Sequence, residues 1–430
     1  MPVEGNQKFN KCLLYILIFC MILTGSINTI VNKIIHSKYV LDQLFKVHHW
    51  FFIDAMFLGE FISFFIYIYI SYKKKNKEQN ENQNNNENQG EEIKKKSSPP
   101  IPTNLIFVIT SLLDLLSAAL SIFGLSSLYS SIYQMFRGFQ LIFICLLGKL
   151  FLKNQYYRQH ILGICSIILG LGSFGLIEAK KGNSNFGKQT RSVILLLISQ
   201  IFSSTQNIIQ EIYIKNYDVH PLKFVGYEGL YGIIIYTILL IIFQNIYCDS
   251  WTQLLKEEIC SINDKEKSYL EDSIFAFRQM WKKKSILFLS ILYIISIALY
   301  NIVGINLTKL DSSTTRVVVD NARIIFIWLF FFFYQDSSDE NNHDDKLQET
   351  FLWTQFIGLL FLFFGASVYN EIIVLHFWGL DKYTKTNIEK LKKEEYIAKL
   401  QKENEDNDLL INISKNIIDN SQSENNVKLD

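Results

Sequence analysis

Proline is scarce, at 5 in 430 residues, while 49% of the chain is hydrophobic and 14% aromatic. That balance excludes a soluble domain with a thin core. Catalytic signatures are missing as well. The seven histidines are scattered, and no HExxH, CxxC or GxSxG motif or glycine-rich loop after a strand occurs. No enzyme, metal centre or cofactor is therefore expected, and His48 and His49 read as interface residues at the start of an apolar run. A formal net charge of +1 excludes a simple nucleic-acid footprint. Cysteine is sparse too. Cys12, Cys20, Cys145 and Cys165 fall in apolar runs, whereas Cys248 and Cys260 share one long loop and can pair only if it faces an oxidising lumen. Six unpaired thiols is the expectation taken.

What is present is a succession of apolar runs. Ten candidate spans cover 12–31, 51–72, 105–128, 132–152, 160–178, 193–214, 225–247, 286–307, 314–334 and 352–374. Most have the roughly 20 residues that a helix needs to cross about 30 Å of hydrocarbon. Only helices or closed barrels satisfy the backbone in lipid, so an all-α membrane bundle follows. The first run lacks a clean small-residue cleavage site and is read as retained.

Between the spans the charge is uneven. Lys73, Lys74, Lys75, Lys77, Lys94, Lys95 and Lys96 follow span 2, which positive-inside logic assigns to the cytosol. Ten spans then leave both termini cytosolic, with Lys282, Lys283 and Lys284 an opposing signal across the membrane. Gln79 to Gln89 is an Asn/Gln-rich low-complexity linker. The expected organisation is a cytosolic N-terminus over 1–11 and a first five-helix repeat over 12–178, interrupted by a disordered loop at 73–104. A connecting loop at 179–192 leads to a second repeat over 193–374, with a long loop at 248–285, and a charged cytosolic tail covers 375–430. In the tail, Glu405 with Leu409 and Leu410 has the form of an acidic dileucine signal, readable by a sorting adaptor.

The two halves match feature by feature. Residues 160–175 parallel 355–370, with Gly163 opposite Gly358 and Gly170 opposite Gly365. Residues 130–138 parallel 312–320, with Gln134 opposite Arg316, and 28–32 parallel 206–210, with Asn28 opposite Gln206 and Asn32 opposite Gln210. Five spans per copy is an odd number, so the copies insert upside down relative to each other. That is the logic of secondary transporters, whose substrate site lies near the midplane. The glycine faces of spans 5 and 10 suit close helix packing or a homodimer seam.

Charge inside span 9 is the sharpest signal. Arg316, Asp320 and Arg323 recur at i, i+4 and i+7, which puts them within roughly a 60° arc of one helical face. Ionised groups are costly in hydrocarbon, so the stripe must face protein or a watery cavity. Two readings stand: the arginines are ligands for an anion, with Asp320 orienting them, or the three form an internal brace. The stripe's surplus positive charge, joined by Arg137 in span 4, leans toward an anionic ligand. Asn28, Asn32, Asn207, Gln210 and Gln134 line a cavity or merely join helices. Among the buried acids, Glu60 and Asp114 are candidates for proton coupling, with Glu211 and Glu228 behind them.

TGSINT at 24–29, MFLGEF at 56–61, YQMFRG at 133–138, VHPLKFVGYEGLYG at 219–232 and TTRVVVDNARIIFIW at 314–328 carry a resemblance. They are similar to segments of the drug/metabolite transporter superfamily, and within it to the nucleotide-sugar-transporter-like solute carrier 35 proteins, subfamily F. The resemblance implies a ten-helix inverted-repeat fold, alternating access around a central cavity, and a lysosomal or other endomembrane location. It names no substrate, because that superfamily handles nucleotide sugars, amino acids, drugs and thiamine-like cations. The function expected is secondary transport of a small organic metabolite, anionic by the lean of the arginines. Its alternative is a non-transporting membrane scaffold that binds partners through loops and tail.

Overall fold

The computed structural model describes residues 2–36, 39–40, 43–44, 48–84, 101–126, 137–181, 186–248, 261–262, 268–333, 353–384 and short stretches of 387–401. The helices are α1 (Pro2–His36), α2 (His49–Asn84), α3 (Thr103–Ser126), α4 (Gln140–Phe151), α5 (Arg158–Lys181), α6 (Phe186–Asn216), α7 (Pro221–Phe243), α8 (Ser273–Lys282), α9 (Lys284–Leu310), α10 (Ser313–Phe333) and α11 (Trp353–Tyr369). Two small antiparallel hairpins join them, β1 (Tyr39–Val40) with β2 (Gln43–Leu44) and β3 (Ser261–Ile262) with β4 (Ser268–Tyr269). Among the described residues six helices are long and apolar enough to cross a membrane, over Cys12–Ile35, Trp50–Lys77, Thr103–Ser121, Ser192–Asn216, Pro221–Phe243 and Lys284–Leu310. Their outward faces carry Phe19, Ile238 and Phe288 well exposed, as lipid-facing side chains would be. The chain is thus an all-helical multipass membrane protein.

Local chemistry sets the helix ends. Pro221 sits at the first position of α7, where its missing N–H costs no hydrogen bond. Asp272 caps α8 by accepting from the Phe275 N–H at 2.9 Å. Ser312 accepts from the Thr315 N–H at 3.1 Å at the start of α10, and the Glu211 carboxylate takes the Ser313 N–H at 2.9 Å. Where the sequence suggests a disordered loop from residue 73, α2 instead stays helical through Asn84. Lys, Glu and Gln are good helix formers, so the polar extension costs little.

Packing divides the chain into two units, Met1–Gln155 with Gly163–Ala366, and Tyr156–Leu162 with Ser367–Asp430. In the larger unit α1 packs on α9 and α10, while α6 packs on α3 and α4. Further contacts join α2 with α7, α2 with α9, α3 with α7, α4 with α10, α7 with α9 and α9 with α10. Lipid is as apolar as leucine, so close van der Waals contact rather than hydrophobicity drives such pairings. Glycine makes the closest approach possible at α7, where a Cβ on Gly226, Gly229 or Gly232 would lie 2.7, 2.5 and 2.2 Å from Phe64, Phe61 and Phe57 of α2. Likewise a Cβ on Gly170 would meet the Gly358 carbonyl at 2.7 Å, and one on Gly365 the Gly163 carbonyl at 2.6 Å. The glycine face that suits packing or a dimer seam is therefore occupied inside one chain.

Beyond α7 the chain turns back. Leu270 N–H donates to the Ile246 carbonyl at 3.0 Å, and Tyr247 bridges Tyr269. Cys248 lies buried against Trp50 and Leu270 and is disulfide-bonded. This corrects the expectation of six unpaired thiols: the return of the loop, invisible in linear spacing, buries the sulfur beside the helix ends. Cys260 lies outside the described residues, and Cys12, Cys20 and Cys165 are free. In the smaller unit, Gln159 donates to the carbonyls of Val368 and Ile373 at 3.3 and 3.1 Å, and His160 lies 3.7 Å from the Glu371 carboxylate.

Candidate functional site

The site is built on α10. The Arg316 side chain has room because Gly304 of α9 lacks a Cβ, which would stand 2.8 Å from Nε. Its Nη1 donates to Gln210 Oε1 at 3.0 Å and its Nη2 to Asn301 Oδ1 at 3.5 Å. One turn on, Asp320 collects three donors. Arg323 Nε lies 3.2 Å away, Arg137 Nη2 lies 3.5 Å away, and the Tyr300 hydroxyl donates a hydrogen bond. Arg323 is buried, stacks over Tyr300 at 5.3 Å, and points Nη1 at the Gly25 carbonyl. Arg137 keeps a third of its side chain exposed. The triad of Arg137, Asp320 and Arg323 carries one net positive charge at its open edge.

Beside it lies an acidic cluster. Gln210 already accepts from Arg316, which fixes its amide orientation, so its Nε2 donates to Glu228 Oε2 at 2.7 Å. Gln206 Nε2 donates to the other Glu228 oxygen at 2.8 Å. Glu228 therefore accepts at both oxygens and is tied through Gln210 to Arg316. Glu60 accepts from Asn301 Nδ2 at 3.0 Å through Oε1 alone. Its Oε2 is buried with no protein partner. Asp114, on α3, lies within Coulombic reach of both glutamates and shares the Gln206 amide.

The structure therefore brings together Arg316, Asp320, Arg323, Arg137, Gln210, Glu60 and Asp114. Asn28 stands apart, donating to Ser296 Oγ at 3.3 Å, and Asn207 donates to the Ser203 carbonyl of its own helix at 2.9 Å. Asn32 Oδ1 is buried without a partner. Gln134, Glu405, Leu409 and Leu410 lie outside the described residues. Glu211 pairs with Lys215 at 2.6 Å, an end-of-helix contact. Sequence reasoning overlooked Tyr300 and Asn301, adjacent polar residues inside an apolar helix, and gave Gln206 and Glu228 too little weight. The surplus positive charge read from α10 alone is also corrected. Glu60, Asp114 and Glu228 arrive from α2, α3 and α7, so four carboxyls with Asp320 face three guanidiniums.

At the opposite end of α2 a buried pair forms, with His48 Nδ1 2.8 Å from Glu271 Oε1. Burial pushes the Glu271 carboxyl above its ordinary value, against the pull of His48.

Buried charge answered by charge across four helices and Arg137 just ahead of α4, in a bundle whose outer face is apolar, defines a polytopic membrane protein with a polar core. Comparison with known proteins narrows this. A family model described as SLC35F, solute carrier family 35, matches residues 107–257. The human protein named solute carrier family 35 member F6 is 30% identical over 278 residues, covering 64% of this chain and 69% of the relative. Its mouse counterpart is 28% identical over 361 residues, covering 82% and 87%. A Schizosaccharomyces pombe protein named as uncharacterized is 26% identical over 281 residues, covering 64% and 76%. A solved crystal structure superposes with a TM-score of 0.50 at 11% identity, covering 84% of this chain and 96% of that one, a likeness of fold alone. The chain belongs to solute carrier family 35, subfamily F.

Proposed function

We propose that the protein is a secondary transporter that carries a small organic metabolite with an anionic group across an endomembrane by alternating access. The observation that carries this reading is the Arg137, Asp320 and Arg323 triad: a partly exposed guanidinium beside a buried, pre-oriented one, net cationic, at bundle depth. A guanidinium forks onto phosphate or carboxylate, and the triad can receive such a group without breaking its own pair. Arg316 and Gln210 are the proposed wall beside it.

Reciprocal packing supports two inverted five-helix repeats, 12–178 and 193–374. The pairs α1 with α9 and α3 with α6, α1 with α10 and α4 with α6, and α2 with α9 and α3 with α7 are the exchanges that a two-fold axis would make. The glycine contacts of α5 and α11 are reciprocal in the same way. Rocking one half against the other about the shared site would give alternating access. The disulfide at Cys248 favours an oxidising lumen for the loop after α7, opposite the Lys-rich cytosolic segment after α2. Cytosolic termini, with the dileucine motif available to a sorting adaptor, and a lysosomal membrane fit that orientation. The glycine faces are already occupied, so a homodimer through them forms no part of this reading, and nothing in the site favours the scaffold.

The test is ligand-induced thermal stabilisation of the purified full chain against nucleotide sugars, nucleotides, other organic anions and organic cations. At a hundredfold excess over Kd a ligand contributes about 2.7 kcal/mol. Some anion should raise the wild-type unfolding temperature and leave Arg316→Ala unmoved. An equal rise in both would remove Arg316 from the site, and a response to cations alone would end the anionic reading.

A further inference from the structure

We propose that Glu60 and Asp114 form a proton-binding dyad that couples transport to a proton gradient, because loading it removes two negative charges that oppose the substrate anion beside Arg316. The inference rests on the transporter reading above and gives that site its driving ion.

The argument begins with charge. Around Glu60 on α2 stand Asp114 from α3, Glu228 from α7, Arg316 from α10 and the Tyr293 phenol from α9, with Gln206 and Gln210 of α6 as neutral donors. Asp54 lies further back on α2 itself. Among these described groups Arg316 is the one guanidinium within Coulombic reach of all three carboxyls. Glu228 is the carboxyl linked to Arg316 through Gln210, so Arg316 is the cation that answers it. Glu60 and Asp114 remain, two negative charges with no cation of their own. An uncompensated charge is costly at membrane depth, and two bound protons would neutralise the pair.

A second observation points to the same place independently of the charge count. Glu60 is 5% exposed, and its Oε2 has no hydrogen-bond partner while Oε1 is taken by Asn301. A carboxylate oxygen left bare in a dry interior is the costlier state, whereas a proton on it neutralises the group. Asp114 is half-buried and so lies nearer the surface of the bundle than Glu60. No bond other than O–H forms or breaks, and the proton returns to water on the far side.

Coupling follows from Arg316 lying between the two clusters. It is within reach of Asp320 as well as of the three carboxyls. With Glu60 and Asp114 ionised, two unbalanced negative charges stand beside it and oppose an arriving anion. Once they are protonated that opposition is gone, so proton and anion binding are positively linked, and by reciprocity the anion tightens the hold on protons.

The experiment uses the full chain in proteoliposomes and the anion that wild type exchanges in counterflow. Uptake is read with the outside acid relative to the inside and again at equal pH, as a ratio within each variant. The expected result is several-fold accumulation in wild type under the gradient, collapsed by a protonophore, with ratios near one for Glu60→Gln and Asp114→Asn. Counterflow without any gradient response in wild type overturns the dyad and leaves the transporter standing. Counterflow absent altogether overturns both. A gradient response retained by both variants also overturns the proposal. Since the first arm needs only wild type, a variant that fails to fold does not protect it.

Discussion

Asp320→Asn isolates what the triad contributes. The carboxylate holds Arg323 Nε at 3.2 Å and Arg137 Nη2 at 3.5 Å, and Asn keeps its shape and an acceptor for Tyr300 while deleting the charge. Breaking a buried ion pair by removing one partner costs about 3–5 kcal/mol. Arg323 is 4% exposed and should feel that in full, whereas Arg137, a third exposed, should add no more than about 1 kcal/mol. At about 2.1 cal/mol/K per residue the unfolding entropy of this chain is about 0.9 kcal/mol/K, so the unfolding temperature should fall by roughly 4 °C. Replacing both charges, Asp320→Asn with Arg323→Met, removes the orphan guanidinium and should recover most of the loss, a coupling of about 2–3 kcal/mol. The assay is intrinsic-fluorescence melting of the detergent-purified chain. A shift below about 1 °C for the single variant, together with simple additivity in the pair, would refute the reasoning.

Four further variants probe the packing and the buried charge. Gly229→Ala drives a Cβ to 2.5 Å from the Phe61 backbone nitrogen, which cannot step aside, and should cost about 1–3 kcal/mol or more. Gly172→Ala, with open space around it, should be neutral or stabilising in the same melting assay. Gly304→Ala instead meets Arg316 Nε at 2.8 Å, near the end of a flexible side chain. It should barely change the melting temperature yet abolish ligand-induced stabilisation; a retained ligand shift would show that Arg316 need not stay where it is. Glu271 has a folded-state pKa raised above 4.5, so its stabilising contribution is complete below that value and is lost as pH rises through the folded one. Melting temperature should therefore decline from acid toward neutral pH, and Glu271→Gln should flatten that decline; an unchanged slope would clear Glu271.

The charged stripe was legible because helical periodicity alone puts Arg316, Asp320 and Arg323 on one face. Its partners were not. Tyr300 and Asn301 are neighbours in an otherwise apolar helix with no periodic signature, and Glu228 becomes meaningful only when Gln206 and Gln210 reach it from α6. The charge balance was misjudged for the same reason. Counting within one helix finds two arginines and one aspartate, whereas the carboxyls that answer them come from helices distant in sequence. Most apolar runs could be read as helices directly. The polar continuation of α2 through Asn84 could not, because hydropathy marks where a helix meets lipid rather than where it ends.

The central claim is tested most directly by counterflow. Wild-type protein in liposomes preloaded with unlabelled compound should take up the same labelled compound for at least one organic anion of the panel, and Arg137→Ala should take it up more slowly. Folded protein that exchanges no member of the panel would contradict the account and turn attention to a scaffold acting through its loops and tail.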